Sequence, residues 1–183
     1  MRIMLAVLLL CSAARAFAVE EGFLSYMPPS GSFACDLPAS GWSALEERSV
    51  RGISVRLIGP AGARLRPAYQ VHFVQKDTPG YIPIMDALKR ERACEAPCTR
   101  ESMPMQAWRI SERAAKVFEI RERRRMPQEG LPSEPVMLHH FYAFLPAGDD
   151  YFVVKLTVDE EQYNDWRLEF HRFLKTFRII GHR

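Results

Sequence analysis

Hydrophobic and polar residues alternate along two neighbouring segments in the first half of the chain. Residues 53–57 alternate up to Gly59-Pro60, and residues 69–73 repeat the pattern after a loop with two glycines and two prolines. A period of two predicts β-strands with one buried face and one more polar face. The two segments therefore predict a hairpin with a long connection.

Further strands are predicted on both sides of this hairpin. Residues 43–48 suit a first strand, and residues 105–110 and 114–123 flank a turn at 111–113. The clearest hairpin joins 136–144 to 151–158, because both segments are rich in aromatic and β-branched residues. Alternate residues of the last strand share one face: Phe152, Val154, Leu156 and Val158.

Two segments show helical spacing instead. Residues 81–93 place Ile84 and Leu88 on an inner face. Near the C-terminus, Asp159 followed by Gln162 resembles a capping box that opens a long amphipathic helix. Its apolar stripe is predicted to clamp the helix onto the sheet, and consists of Tyr163, Trp166, Phe170, Phe173, Leu174 and Phe177.

The order of these elements predicts an α+β fold with a central antiparallel sheet flanked by helices. The chain has 183 residues, 48% of them hydrophobic, which suits one globular domain. We place that domain at residues 33–180, after a flexible segment at 19–32.

The first 18 residues have the features of an export signal. A basic start precedes an unbroken apolar run at 3–10, and Ala16-Phe17-Ala18 offers the small residues that signal peptidases recognise. Cleavage after Ala18 is favoured over cleavage after Ala16, and lipidation at Cys11 is the minority interpretation. The apolar stretch is too short for a membrane anchor, which needs about 20 residues. The processed protein is therefore predicted to be periplasmic or extracellular, without a transmembrane anchor.

Three cysteines remain after the leader is removed: Cys35, Cys94 and Cys98. In an oxidising compartment one disulfide and one free thiol are expected. Cys94 and Cys98 are closest in sequence, whereas Cys35 paired with either would close a longer loop, which would stabilise the fold by about 4 kcal/mol, more than the short loop would. Both pairings remain open at the level of sequence.

A family resemblance emerges from the spacing of core residues between Gly31 and Ile180. The chain resembles the PsbP and Mog-type domains in the following segments: Asp36-Leu37-Pro38 to Trp42, the strand ending at Gly59-Pro60, 69–74, 151–155, Tyr163, and 170–179. The resemblance implies an antiparallel sheet flanked by helices that serves as a binding or accessory module. It carries no catalytic signature.

Candidate chemistry is sparse. Cys94 and Cys98, with Met103 and Met105, could supply soft ligands to copper or a thiol redox site, although a disulfide competes for the same thiols. His139 and His140 are adjacent on a strand, so they should point to opposite faces and cannot share one ion.

No sequence motif identifies a reaction. The chain lacks a Gly-x-Ser-x-Gly elbow, a phosphate loop and a dinucleotide fingerprint, so no catalytic residue and no cofactor is predicted. Losing the leader lowers the formal net charge from +3 to +1, which gives no electrostatic reason to bind nucleic acid. We therefore expect a non-catalytic module that binds an envelope protein or a small ligand. The alternatives are the soft-metal or redox protein and a hydrolase whose site, built around His72, His139 or His140, assembles only on folding.

Overall fold

A computed structural model of the chain describes residues 19–61, 65–94, 99–126 and 132–181. Its helices are α1 (Ile84–Arg92) and α2 (Tyr163–Thr176), and a 3-10 turn at Glu160–Gln162 leads into α2. Its strands are β1 (Phe23–Tyr26), β2 (Phe33–Pro38), β3 (Ser43–Ser49), β4 (Gly52–Ile58), β5 (Ala68–Val74), β6 (Arg100–Ser102), β7 (Gln106–Ile110), β8 (Arg113–Met126), β9 (Glu134–Ala147), β10 (Asp150–Asp159) and β11 (Arg178–Ile179).

The described strands form two antiparallel sheets. The larger has the order β3-β4-β5-β10-β9-β8-β6, and β7 also pairs with β8. The smaller has the order β1-β2-β11. Every pairing is antiparallel, which confirms the predicted α+β class with an antiparallel sheet.

Helix α2 covers one face of the large sheet through aromatic side chains. The rings of Phe170 and Phe173 each lie 5.0 Å from the ring of Tyr69 on β5, and Phe170 lies 5.5 Å from Phe141 on β9. Burial of these aromatic side chains stabilises the fold by several kcal/mol, because each buried side chain contributes about 2 kcal/mol. Of the six residues in the predicted stripe, five are buried and Trp166 is half-buried.

Helix α1 covers part of the opposite face. Ala87 and Leu88 pack there with aromatic side chains of the central strands, among them Phe118, Tyr142 and Phe144. The helix begins at Ile84 rather than at residue 81, because Pro83 disfavours helical backbone in the residue before it. The two faces of the sheet therefore carry different helices and different cores.

Three local features differ from the sequence-based expectations. Residues Phe23–Tyr26, in the segment predicted to be flexible, form β1 and pair with β2. Strand β6 was not predicted, because its three residues are too few to show an alternating pattern. Strands β8 and β9 each run for 14 residues, longer than predicted, because they pair with each other over nearly their whole length.

Candidate functional site

A cavity of about 140 Å³, called here the α1 cavity, lies between α1 and the sheet face beneath it. Its apolar walls include Val74, Phe144 and Val153 from the sheet and Ile82 and Ala87 from the α1 side. Charged side chains, Arg51, Arg90 and Glu91, also line it, together with the imidazole of His72. The combination of apolar walls and a few polar groups is typical of a small-molecule site.

Close backbone contacts hold the loops around this cavity. Gly52 has φ +121, and a Cβ atom there would lie 2.0 Å from the carbonyl oxygen of Phe73, so only glycine fits. The Gly80 amide donates to the carbonyl of Val50 at 3.0 Å. The Tyr151 hydroxyl donates to the carbonyl of Ile82 at 2.8 Å, which ties β10 to the segment before α1. These contacts position Arg51 at the cavity.

The charge at the cavity is net positive. Arg51 and Arg90 are exposed, and within the described part of the chain neither side chain has a hydrogen bond or ion pair. Glu91 supplies one negative charge. Burial is the main cause that lowers the pKa of His72, so its imidazole is neutral at pH 7. Two arginines against one glutamate leave an excess positive charge that no described side chain neutralises.

His140 lies on the same sheet face and is buried in a separate polar cluster. Its Nδ1 atom is 3.0 Å from Thr157 Oγ1, and its Nε2 atom is 3.4 Å from Glu122 Oε2. Glu122 also pairs with Arg124 at 2.8 Å and with Arg100 at 3.2 Å. The hydrogen bond with His140 is the main cause that holds the pKa of Glu122 well below its usual range, whereas burial lowers the pKa of His140 to about 4.

His139 lies on the opposite face, between two carboxylates. Its Nδ1 atom is 2.7 Å from Glu160 Oε2, and its Nε2 atom is 3.0 Å from Glu119 Oε2. Arg121 and Arg167 contact the far sides of these carboxylates, at 3.1 and 3.9 Å. The result is a chain of polar contacts that joins β8, β9, the 3-10 turn and α2.

The two histidines therefore point to opposite faces, as the strand alternation predicts. Sequence reasoning missed their partners, Glu119, Glu122 and Glu160, because sheet pairing and helix packing bring them close from distant positions. A signal was present in the charged end of β8. Glu119 and Arg121 lie on one face of that strand and Glu122 and Arg124 on the other, so each face carries an acid next to a base.

The hydrolase alternative requires a histidine beside a nucleophile and an acid. Ser49, His72 and Glu91 all line the α1 cavity. However, the Ser49 hydroxyl is engaged in hydrogen bonds within the turn between β3 and β4. It accepts from the Arg51 amide at 3.2 Å and donates to the Gly52 carbonyl at 3.5 Å. No hydrogen bond links these three side chains within the described residues.

The cysteines divide between described and undescribed residues. Cys35 is buried and has a free thiol, so the alternative in which Cys35 closes a long loop does not apply to this structure. Cys98 lies outside the described residues, so its pairing with Cys94 stays a prediction. Met105 is partly exposed. Among the described residues, no group of three or more His, Cys, Asp and Glu side chains is arranged to hold a metal ion.

Neither helix in the described ranges is long and apolar enough to cross a membrane.

Comparison with known proteins identifies the fold. No family model and no curated protein matches the chain. Among solved structures, the Ran-binding protein Mog1p of Saccharomyces cerevisiae matches with a TM-score of 0.54 at 9% identity, over 86% of this chain and 95% of Mog1p. Cyanobacterial PsbP of Synechocystis matches with a TM-score of 0.52 at 11% identity, over 92% of this chain and 98% of its own.

A protein of unknown function from Pseudomonas aeruginosa is also similar, with a TM-score of 0.50 at 12% identity, over 84% of this chain and 94% of that one. At such low identity these likenesses concern the fold. They agree with the element order and the antiparallel pairing described above. The chain therefore shares the fold of the solved PsbP and Mog1p structures.

Proposed function

We propose that this chain is an exported accessory module of the cell envelope that binds a partner or ligand and catalyses no reaction itself. The observation that carries the proposal is the α1 cavity, with two arginines that pair with no side chain in the described residues, set in a fold that includes a solved protein described as Ran-binding. The buried side chains of His139 and His140 support the non-catalytic part of the proposal, because both are engaged in contacts with other side chains inside the protein.

Export is part of this proposal and rests on the first 18 residues. We expect a tagged full chain expressed in a Gram-negative host to reach the periplasm and lose the leader. N-terminal sequencing would distinguish cleavage after Ala18 from cleavage after Ala16. Ala16→Leu combined with Ala18→Leu should block processing, because signal peptidase requires small residues there. Ala13→Leu, a change outside these positions, is the control, and retention of the unprocessed wild-type chain in the cytoplasm would refute export.

Binding can be tested by placing a photo-crosslinker at one of two exposed positions. Val50, 69% exposed, lies beside the α1 cavity, whereas Leu168, 70% exposed, lies on α2 across the sheet. In the native host we expect a discrete adduct from position 50 and none from position 168. The same protein should show no turnover on a panel of ester, amide and phosphate substrates. Robust turnover that is lost in His72→Gln would contradict the proposal.

A further inference from the structure

We propose that the α1 cavity binds a small organic anion, with a carboxylate held by Arg51 and Arg90 and a ring-sized apolar body inside. This inference rests on the proposed function, since it names the ligand class for the same binding module. Three features of the cavity support it: its size, its apolar walls, and two arginines without an ion-pair partner among the residues that the structure describes.

Size limits the ligand to a single small ring or its equivalent. A buried apolar cavity of about 150 Å³ is known to accept benzene. The α1 cavity, at about 140 Å³, is close to that volume and is smaller than most drug-sized pockets. Val74, Phe144 and Val153 contribute apolar wall, so the ring would replace water against hydrocarbon.

The charged groups select an anion. A guanidinium offers a planar fork of donors that matches a carboxylate, and such charge-assisted bonds are stronger than neutral ones. Arg51 comes from the β3–β4 turn and Arg90 from α1, so one carboxylate between them would link the turn to the helix. Glu91 reduces the positive charge and disfavours a ligand with a second negative group.

His72 supplies a reporter inside the cavity. Its imidazole lines the same space, and a ring placed against it would change the environment of the imidazole protons. Its NMR signals therefore distinguish binding in the cavity from binding elsewhere on the surface.

Benzoate is the probe that combines the proposed features. We expect it to bind the purified protein saturably, with a Kd below about 1 mM, and to shift the His72 ring signals. Benzyl alcohol keeps the ring without the charge, and acetate keeps the charge without the ring. Each should bind at least about tenfold more weakly than benzoate, because each lacks one of the two sets of contacts.

Matched arginine variants complete the test. Arg51→Gln and Arg90→Gln should each weaken benzoate binding about tenfold, whereas Arg123→Gln, an exposed position on β8, should leave it unchanged. Equal affinity for benzyl alcohol and benzoate, unchanged affinity in both arginine variants, or no saturable shift of His72 would overturn the inference. A crosslink at position 50 without benzoate binding would refute this inference alone, whereas benzoate turnover would refute the non-catalytic function.

Discussion

The imidazole of His139 lies 2.7 Å from the carboxylate of Glu160, through its Nδ1 atom and Oε2. A carboxylate only accepts hydrogen bonds, and the second ring nitrogen of His139 faces Glu119 in the same way. The stack of its ring on Tyr163, with centroids 3.3 Å apart, fixes the ring between the two acids.

A double-mutant cycle should measure the His139–Glu160 interaction. We expect His139→Phe and Glu160→Gln to couple by about 1.5–3 kcal/mol, as hydrogen bonds to charged groups do. The exposed pair Arg172–Glu169, 3.3 Å apart on α2, should couple by only about 0.3–0.5 kcal/mol. Free energies of urea unfolding provide the measurement, and additive effects at His139 and Glu160 would show that the two side chains do not stabilise each other.

Stability should fall as the pH drops from about 6.5 to 4. Burial lowers the pKa of His140 from 6.5 to about 4, so between these values the unfolded chain binds a proton that the folded protein excludes. This effect should cost about 3 kcal/mol at pH 4. His140→Gln should flatten the pH dependence of the unfolding free energy, while His72 and His171, whose pKa values burial also lowers, retain part of the slope.

A similar slope in wild type and His140→Gln would rule out this role for His140. Glu122 affects the free energy of unfolding in a lower pH range than His140 does. Because its folded pKa is depressed, its contribution is present above the ordinary carboxyl pKa and is lost only on further acidification.

Phe170 should be the most sensitive position on α2. Its side chain is fully buried against Tyr69 and Phe141, so Phe170→Ala should cost about 3–5 kcal/mol. Phe170→Asp should leave the domain unfolded, because a charge would be buried without a partner. Leu168→Ala, a change on the exposed side of the same helix, should alter stability by less than about 0.5 kcal/mol. Circular dichroism on heating compares the three, and equal losses at 168 and 170 would show that α2 does not clamp the sheet.

Gly52 and Gly148 form a matched pair of glycines with positive φ. Gly148→Ala meets no atom within 4 Å and should cost only about 1–2 kcal/mol for the left-handed backbone. Gly52→Ala should cost more, because its methyl group would collide with the Phe73 carbonyl oxygen in the β4–β5 pairing. Chemical denaturation of both variants tests this ranking, and the reverse order would be inconsistent with the loop packing around the α1 cavity.

The cysteines should react in a defined order. We expect peptide mapping without reductant to find Cys94 joined to Cys98. Burial raises the pKa of the Cys35 thiol, so Cys35 should resist alkylation until denaturant is added. A peptide linking Cys35 to Cys94 or Cys98, or rapid labelling of Cys35 in the native protein, would contradict this assignment.

Local patterning was enough to predict most of the elements. The strand pairs at 53–57 with 69–73 and at 136–144 with 151–158 were visible because alternation reports one buried face directly. The start of α1 was misplaced by three residues, since Pro83 overrides an otherwise suitable apolar spacing. The turn at Ser111 and Glu112 was located, but its left-handed backbone, with φ 51 and 61, gave no signal because neither residue is glycine.

The sequence by itself determined the α+β class, the apolar face of α2 and the separation of His139 from His140, because these follow from periods of two and 3.6 residues. Tertiary structure alone decided which acids meet those histidines and which loops enclose the α1 cavity. Arg51 and Arg90 are 39 positions apart in the sequence. Only the pairing of β4 with β5 and the packing of α1 on the sheet bring them to one cavity, since no local pattern encodes a contact between distant segments.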